Sequence, residues 1–111
     1  MTAAPLLNLG NTRIAGEGLL YLTGLKNLRF LNLGATRVND ESLKHLAGLT
    51  SLEHLYLGGT RITNAGLIHL KGFTKLKELV CNKQVTDAGA AKLRESLPNV
   101  HIDYTRDKDR E

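Results

Sequence analysis

Arginine recurs at one fixed interval along this chain, and arginine is a residue that binds anions. Arg13, Arg37 and Arg61 are 24 residues apart, and each follows a threonine. If they stack in a repeating fold, their guanidinium groups form a stripe that could bind a phosphate or an acidic partner. The alternative is a duplicated Thr-Arg consensus that points into water, and the sequence favours this second interpretation.

Histidine and cysteine are the other residues that could support chemistry. His45 and His69 share the 24-residue spacing, but zinc takes about four ligands, and no carboxylate or thiol shares their register. We therefore expect surface histidines and no metal site. Cys81 occupies an apolar position, which predicts a buried thiol, and His54 is expected on the opposite face of its sheet. No thiol–base pair is therefore available for nucleophilic catalysis.

No other catalytic pattern is present. Paired carboxylates do not recur at a regular spacing, and GNTRIAGEG lacks the GxxxxGK(S/T) spacing of a phosphate-binding loop. We expect no catalytic residues, no cofactor and no enzyme activity.

The interval of 24 residues governs most of the chain. Three near-copies of one phrase, LGNTRIAG, LGATRVND and LGGTRITN, begin at Leu9, Leu33 and Leu57. They lie in a frame, LxxLxLxxTx(I/V), whose alternating leucines indicate a strand with one buried face; the LxxLxxL that follows indicates a short helix or 3₁₀ segment. The frame predicts a single domain over residues 1–111. Its coils are expected at about 4–27, 28–51, 52–75 and 76–99.

Polar residues precede three of the predicted helical segments. Asn39, Thr63 and Thr86 stand where a side-chain oxygen can cap the free N–H groups of a helix, whereas Ala15 holds that place in the first coil. We expect the first helical segment to be the least well capped.

With these features the chain resembles the leucine-rich-repeat family, in a 24-residue form close to the cysteine-containing and bacterial TDAGL type. Thr12, Thr36 and Thr60 stand where many such proteins carry asparagine, and Gln84 disrupts that column. The leucine columns are Leu7, Leu31, Leu55 and Leu79, then Leu9, Leu33, Leu57 and Cys81. The resemblance implies an α/β fold, a right-handed solenoid of about four coils with a parallel sheet on its concave face and short helices on its convex face. It also implies a non-enzymatic protein–protein interaction module.

Residues between the strand leucines are expected to face outward on the concave side, where they vary from coil to coil. The three columns are Leu6, Phe30, His54 and Glu78; Asn8, Asn32, Tyr56 and Val80; and Gly10, Gly34, Gly58 and Asn82. We predict that a protein partner binds this face at Phe30, Asn32, His54, Tyr56 and Glu78, because solenoids use extended concave surfaces. The alternative is a solvated sheet face with incidental aromatic residues. The glycines are expected to relieve steric conflict where each strand turns.

The N-terminal end of the repeat carries an apolar edge. Leu6, Leu7 and Leu9 would form an edge strand preceded only by MTAAP, in which Pro5 blunts the edge. An uncovered apolar edge indicates either that upstream repeats have been lost or that a second copy pairs with this end. A self-assembling unit that forms a homodimer through this edge is therefore an alternative function.

The C-terminal end differs. Val100 takes the leading-leucine place, and Asp103 falls where the next core leucine belongs. Because a carboxylate is costly to bury unpaired, the core is expected to end here, with a cap and a charged tail over 100–111.

Composition sets outer limits on function. Fifteen Lys and Arg against 11 Asp and Glu give a net charge of +4, which is weak support for nucleic-acid binding. Anion or nucleic-acid binding through the arginine stripe is a further alternative function, but we do not expect nucleic acid to be the partner. A single cysteine excludes an internal disulfide. The sequence has no recognisable signal peptide and no run near about 18 apolar residues, so neither membrane insertion nor secretion is expected. A cytoplasmic location follows, unless the chain is a piece of a longer protein.

Overall fold

Within residues 6–104, which the computed structural model describes, the chain alternates strand and helix and ends on a strand. The strands are β1 (Leu6–Asn8), β2 (Phe30–Asn32), β3 (His54–Tyr56), β4 (Glu78–Val80) and β5 (His101–Asp103). Between them lie 3₁₀ helices at Gly16–Leu22, Asp40–Leu46 and Asn64–Leu70, then α1 at Asp87–Ser96. The expected start of the first coil near residue 4, Pro5 and the tail after Tyr104 lie outside the described residues.

The five strands form one parallel sheet in chain order. Pairing joins equivalent repeat positions, so Leu31 lies opposite Leu55 and Leu55 opposite Leu79. Parallel neighbours need a crossover connection, and the short helix of each coil supplies it on the far side of the core. The predicted arrangement of a sheet on one face and short helices on the other is confirmed.

The core is a stack of aliphatic layers between the sheet and the helices. Leu31, Leu55 and Leu79 from the strands are fully buried. Leucines from the helices meet them, and Phe73 is the largest of the fully buried side chains. One coil leaves both of its apolar edges open, so only the stacking of coils removes these side chains from water.

The helices are capped as predicted. The Asn39 side chain accepts a hydrogen bond from the N–H of Ser42, and the two residues form a reciprocal capping box. Thr63 and Thr86 cap their own helices, whereas Ala15 makes no side-chain cap. The first helical segment therefore leaves more of its N–H groups without a side-chain acceptor.

Polar side chains at the helix starts also link each coil to the next. Asp40 accepts hydrogen bonds from the N–H and the hydroxyl of Thr63, at 2.7 Å and 2.5 Å. Asn64 repeats the contact one coil later: it accepts from the N–H of Thr86 at 3.0 Å and donates to its hydroxyl at 2.8 Å. Each capping threonine is thus held by the preceding coil.

The threonines of the turns close the strand ends. The hydroxyls of Thr36 and Thr60 are buried, and each donates at 2.6 Å to the leucine carbonyl three residues earlier. In the last coil, where Gln84 replaces the threonine, Asn82 is buried and its amide donates to the Thr60 carbonyl. The prediction that Asn82 belongs to an exposed concave column is therefore wrong.

The C-terminal strand corrects a second prediction. Ile102, not Asp103, lies opposite Leu79 and is buried, while Asp103 lies opposite Val80 on the outer face. The last strand begins 23 residues after the previous one, at His101, and not 24. The strand begins one residue after Val100, whereas β4 begins two residues after the equivalent Leu76. The side chains of β5 therefore lie on the opposite face of the sheet from the one predicted by counting from Val100. The sheet therefore continues into the segment expected to form the cap.

A pair of glycine substitutions tests the contacts between coils. A Cβ at Gly66 would collide with the Asp40 carboxylate, whereas a Cβ at Gly72 would meet nothing within 4 Å. We expect Gly66→Ala to lower the free energy of unfolding by about 1–3 kcal/mol, and Gly72→Ala to change it by no more than about 1 kcal/mol in either direction. Chemical denaturation measures both. An equal change in the free energy of unfolding for both variants would contradict the close packing of Gly66 against Asp40.

Candidate functional site

The concave face of the sheet presents two columns of outward side chains. One column runs Leu6, Phe30, His54, Glu78 and His101, and the other runs Asn8, Asn32, Tyr56, Val80 and Asp103. The parallel ladder brings together the five residues predicted to bind a partner. Val80 departs from the expectation, since it is only 7% exposed although it occupies an outward position.

Three aromatic rings pack at the centre of this face. Phe30 meets Tyr56 edge to face, with ring centroids 4.9 Å apart and planes at 76°. His54 lies 6.1 Å from Phe30, tilted at 41°. Edge-to-face pairs at such distances are favourable beyond simple burial. The rings hold one another in place while each stays half-exposed, and they form a preformed apolar platform.

Glu78 stands beside the aromatic platform. Its Oε1 accepts a hydrogen bond from the Tyr56 hydroxyl at 3.1 Å and lies 3.4 Å from His54 Nδ1. The side chains of His54 and Glu78 remain 38% and 35% exposed. Two neighbours thus fix the carboxylate at the surface, where it keeps access to solvent.

Next to the platform, asparagine amides and glycines form a shallow groove. Asn8 and Asn32 each turn their Oδ1 onto a glycine N–H two residues later, at 2.9 Å and 2.8 Å. A Cβ at Gly10 or Gly34 would press on these amides at about 3.2 Å, which gives these glycines the expected steric role. The groove of about 350 Å³ is bordered by Tyr56, Val80 and the glycine turns.

Sequence reasoning missed a charged cluster at the other end of the strands. Arg29 donates two hydrogen bonds of 3.0 Å to the carboxylate of Glu53, and Lys77 lies 3.7 Å from it. Hydrogen bonding from Arg29 lowers the pKa of the Glu53 carboxyl, and the charges of Arg29 and Lys77 act in the same direction. The available signal was the 24-residue spacing of these opposite charges, each one residue before a strand.

The predicted arginine stripe lies beyond the opposite ends of the strands. The side chains of Arg13, Arg37 and Arg61 are exposed. Their backbone follows the same register, since the Arg37 N–H bonds the Ile14 carbonyl and the Arg61 N–H bonds the Val38 carbonyl, both at 3.1 Å. Anion binding along this stripe stays a prediction.

The remaining chemistry-bearing residues are dispersed. His45 and His69 are half-exposed on the helical side, and residues 6–104 contain no group of three His, Cys, Asp or Glu able to hold a metal. Cys81 is buried and free, and burial, with a smaller contribution from the charge of Asp103, raises the pKa of its thiol to about 12. A thiol held neutral in this way is a poor nucleophile.

Comparison with known proteins agrees with this architecture. The leucine-rich-repeat family pattern matches residues 48–71. Internalin C2 from Listeria monocytogenes superposes with a TM-score of 0.71 at 30% identity, over 87% of this chain and 39% of its own. A second internalin of that organism, inlF, gives 0.62 at 27% identity, over 89% and 27%. None of the curated proteins matches the sequence.

The fold is therefore a leucine-rich-repeat solenoid. This chain spans about two fifths and one quarter of the two internalins it matches. Leucine-rich-repeat proteins generally mediate protein–protein interaction and are typically not enzymes. Among residues 6–104, no helix has the length and apolar character needed to cross a bilayer.

The buried thiol gives a prediction about reactivity. With a pKa of about 12, Cys81 holds only about one thiolate in ten thousand at pH 8. We expect a colorimetric disulfide reagent to label the native chain at least about a hundredfold more slowly than the chain in guanidinium. Rapid labelling of the native chain would show that Cys81 is accessible.

The same thiol contributes to the alkaline limit of stability. The pKa of the thiol in the folded chain lies above its ordinary value of 9.0. The neutral thiol therefore makes its full contribution to the free energy of unfolding below pH 9, and this contribution is lost as the pH rises toward 12. Cys81→Ala is expected to flatten this part of the pH profile. Urea unfolding at several pH values measures the slope.

Proposed function

We propose that this chain is a non-enzymatic module that binds another protein on its concave sheet face. The contact residues are Phe30, Asn32, His54, Tyr56 and Glu78. The observation that carries the proposal is the packed pair Phe30–Tyr56, half-exposed at the centre of the face and bordered by the groove. Aromatic side chains in such central positions dominate the binding energy of protein interfaces.

Rigidity supports the same proposal. The rings contact one another, the Tyr56 hydroxyl bonds Glu78, and the Asn32 amide is fixed on the Gly34 N–H. A surface that is already ordered loses little conformational entropy when a partner binds. The Asn32 Nδ2 donates to no described side chain or carbonyl, so it can reach a partner's backbone.

We further propose that the repeats belong to the 24-residue TDAGL type. TNAGL at 63–67 and TDAGA at 86–90 carry the motif. Gly66 and Gly89 lie under Asp40 and Asn64 of the preceding coil, where a Cβ would not fit. The glycine of the motif thus has a packing reason in both copies.

Matched aromatic substitutions test the concave-face proposal. Tyr21, in the first 3₁₀ helix, is 88% exposed and lies away from the sheet face. We expect the double variant Phe30→Ala/Tyr56→Ala to reduce partner retention at least about tenfold and Tyr21→Ala to leave it unchanged. Immobilised wild type and variants are compared by quantitative mass spectrometry of proteins captured from the source organism. Equal capture by all three chains would contradict the proposal.

Self-association through the first coil is the second candidate function. Leu6 is 55% exposed on the edge strand, and Leu7 and Leu9 are only partly buried, whereas Leu31 and Leu55 are fully covered by their neighbours. A second copy that packs on this end would cover the apolar surface of the first coil. In the other coils the preceding coil covers the equivalent surface. An exposed apolar edge of this kind favours such pairing.

Solution mass distinguishes the self-association candidate. We expect light scattering over a tenfold range of concentration to give a mass that rises toward twice that of the monomer. Leu6→Glu should restore the monomer, and Ile68→Glu, at a helical position 57% exposed, should not. A monomer at every concentration would overturn the self-association candidate.

A further inference from the structure

The charge of the concave face is opposite in sign to that of the whole chain. Glu78 and Asp103 are the residues with formal charges at the outward positions of β1–β5, and these positions hold no lysine or arginine. The sequence as a whole has a net charge of +4. Within residues 6–104 the lysines and arginines therefore lie outside the outward strand positions, and the sheet face presents carboxylates and aromatic rings.

Glu78 is only partly satisfied by its neighbours. The contacts from Tyr56 and His54 both fall on Oε1, and Oε2 receives no hydrogen bond from any residue within 6–104. The side chain is 35% exposed. A carboxylate oxygen with open lone pairs next to ordered rings is an acceptor for a charged donor.

The aromatic rings next to Glu78 favour the same kind of ligand. The Tyr56 hydroxyl lies 3.1 Å from Glu78, and the Phe30 ring packs 4.9 Å from the Tyr56 ring. An aromatic face is electron-rich and attracts a cation placed over it. The aliphatic stem of a lysine or arginine can pack on the rings while its charged end reaches the carboxylate.

We propose that the bound partner inserts a lysine or arginine side chain over Phe30 and Tyr56, with its cationic end on Glu78. This inference rests on the proposed function and adds the chemistry of the partner: a basic segment. An acidic segment would instead meet Glu78 and the negative faces of the rings.

Blocked pentapeptides with one variable residue between glycine pairs test this chemistry without the natural partner. Arginine, lysine, citrulline and aspartate occupy the central place, and two-dimensional ¹H–¹⁵N spectra of the labelled chain follow each titration. We expect the arginine and lysine peptides to give saturable shifts at His54, Tyr56 and Glu78, weaker at high salt. Citrulline, which keeps the shape of arginine without its charge, and aspartate should not. The relative strength of the two cationic peptides identifies the preferred side chain.

Matched charge variants complete the test. Glu78→Gln keeps the hydrogen bond from Tyr56 but removes the charge, and should weaken cation binding about fivefold. Glu41→Gln removes a carboxylate that is 82% exposed on the second 3₁₀ helix and should have no effect. The spectrum of each free variant verifies its fold. Equal binding of arginine and citrulline, an unchanged affinity of Glu78→Gln, or stronger binding of aspartate would each overturn the inference.

The outcomes also separate the two proposals. Phe30→Ala/Tyr56→Ala could abolish partner capture while Glu78→Gln preserves both capture and peptide binding. The concave face would then bind a partner without a cation site at Glu78. If the cationic peptides bind at Glu78 and no captured protein depends on Phe30 and Tyr56, the cation site stands and the protein-binding role fails.

Discussion

The burial that each coil provides for the next is the constraint on which the structure depends. A strand of three residues and a short helix cannot enclose a core, yet Leu31, Leu55 and Leu79 are fully buried because equivalent leucines stack along the parallel ladder. The ladder fixes register, and register fixes which side chains face outward. The concave site is therefore a product of the same repeat that builds the core: Phe30, His54 and Glu78 are neighbours because they are 24 residues apart.

This dependence explains how much could be predicted from the sequence. Alternation of apolar and polar residues identifies the strands and their outer columns, and the polar residue before each of the last three helices identifies its cap. Strand register itself is set by hydrogen bonds. The Glu53 carbonyl accepts from both Lys77 and Glu78, whereas the Lys77 carbonyl accepts from His101 alone. The last coil lacks the intervening residue, so counting from Val100 misplaces Asp103 by one position.

Contacts between side chains were harder to predict than the columns of residues on the sheet face. The repeat spacing predicts which residues are adjacent, but the contact of Glu78 with Tyr56 and His54 depends on the rotamer of the Glu78 side chain. Likewise, Arg29 and Glu53 meet through a two-bonded geometry that spacing alone does not specify. Asn82 shows the same limit. The turn between Cys81 and Val85 is one residue shorter than the equivalent turn between Leu57 and Ile62, and the Asn82 amide is buried there on the Thr60 carbonyl. These contacts depend on rotamers and on local backbone conformation, which the repeat pattern does not specify.

The chain has a net charge of +4, which would repel the basic side chain proposed to bind it. The distribution of charge reduces this repulsion at the concave face. At physiological salt the screening length is about 8 Å, so positive charge that lies farther away than this contributes little at the centre of the sheet. Near that centre, Arg29 and Lys77 both converge on Glu53, which offsets part of their charge. A cation on the concave face therefore interacts first with Glu78 and the two rings. Net charge sets only a weak repulsion at long range, and the local arrangement of the columns determines what is bound.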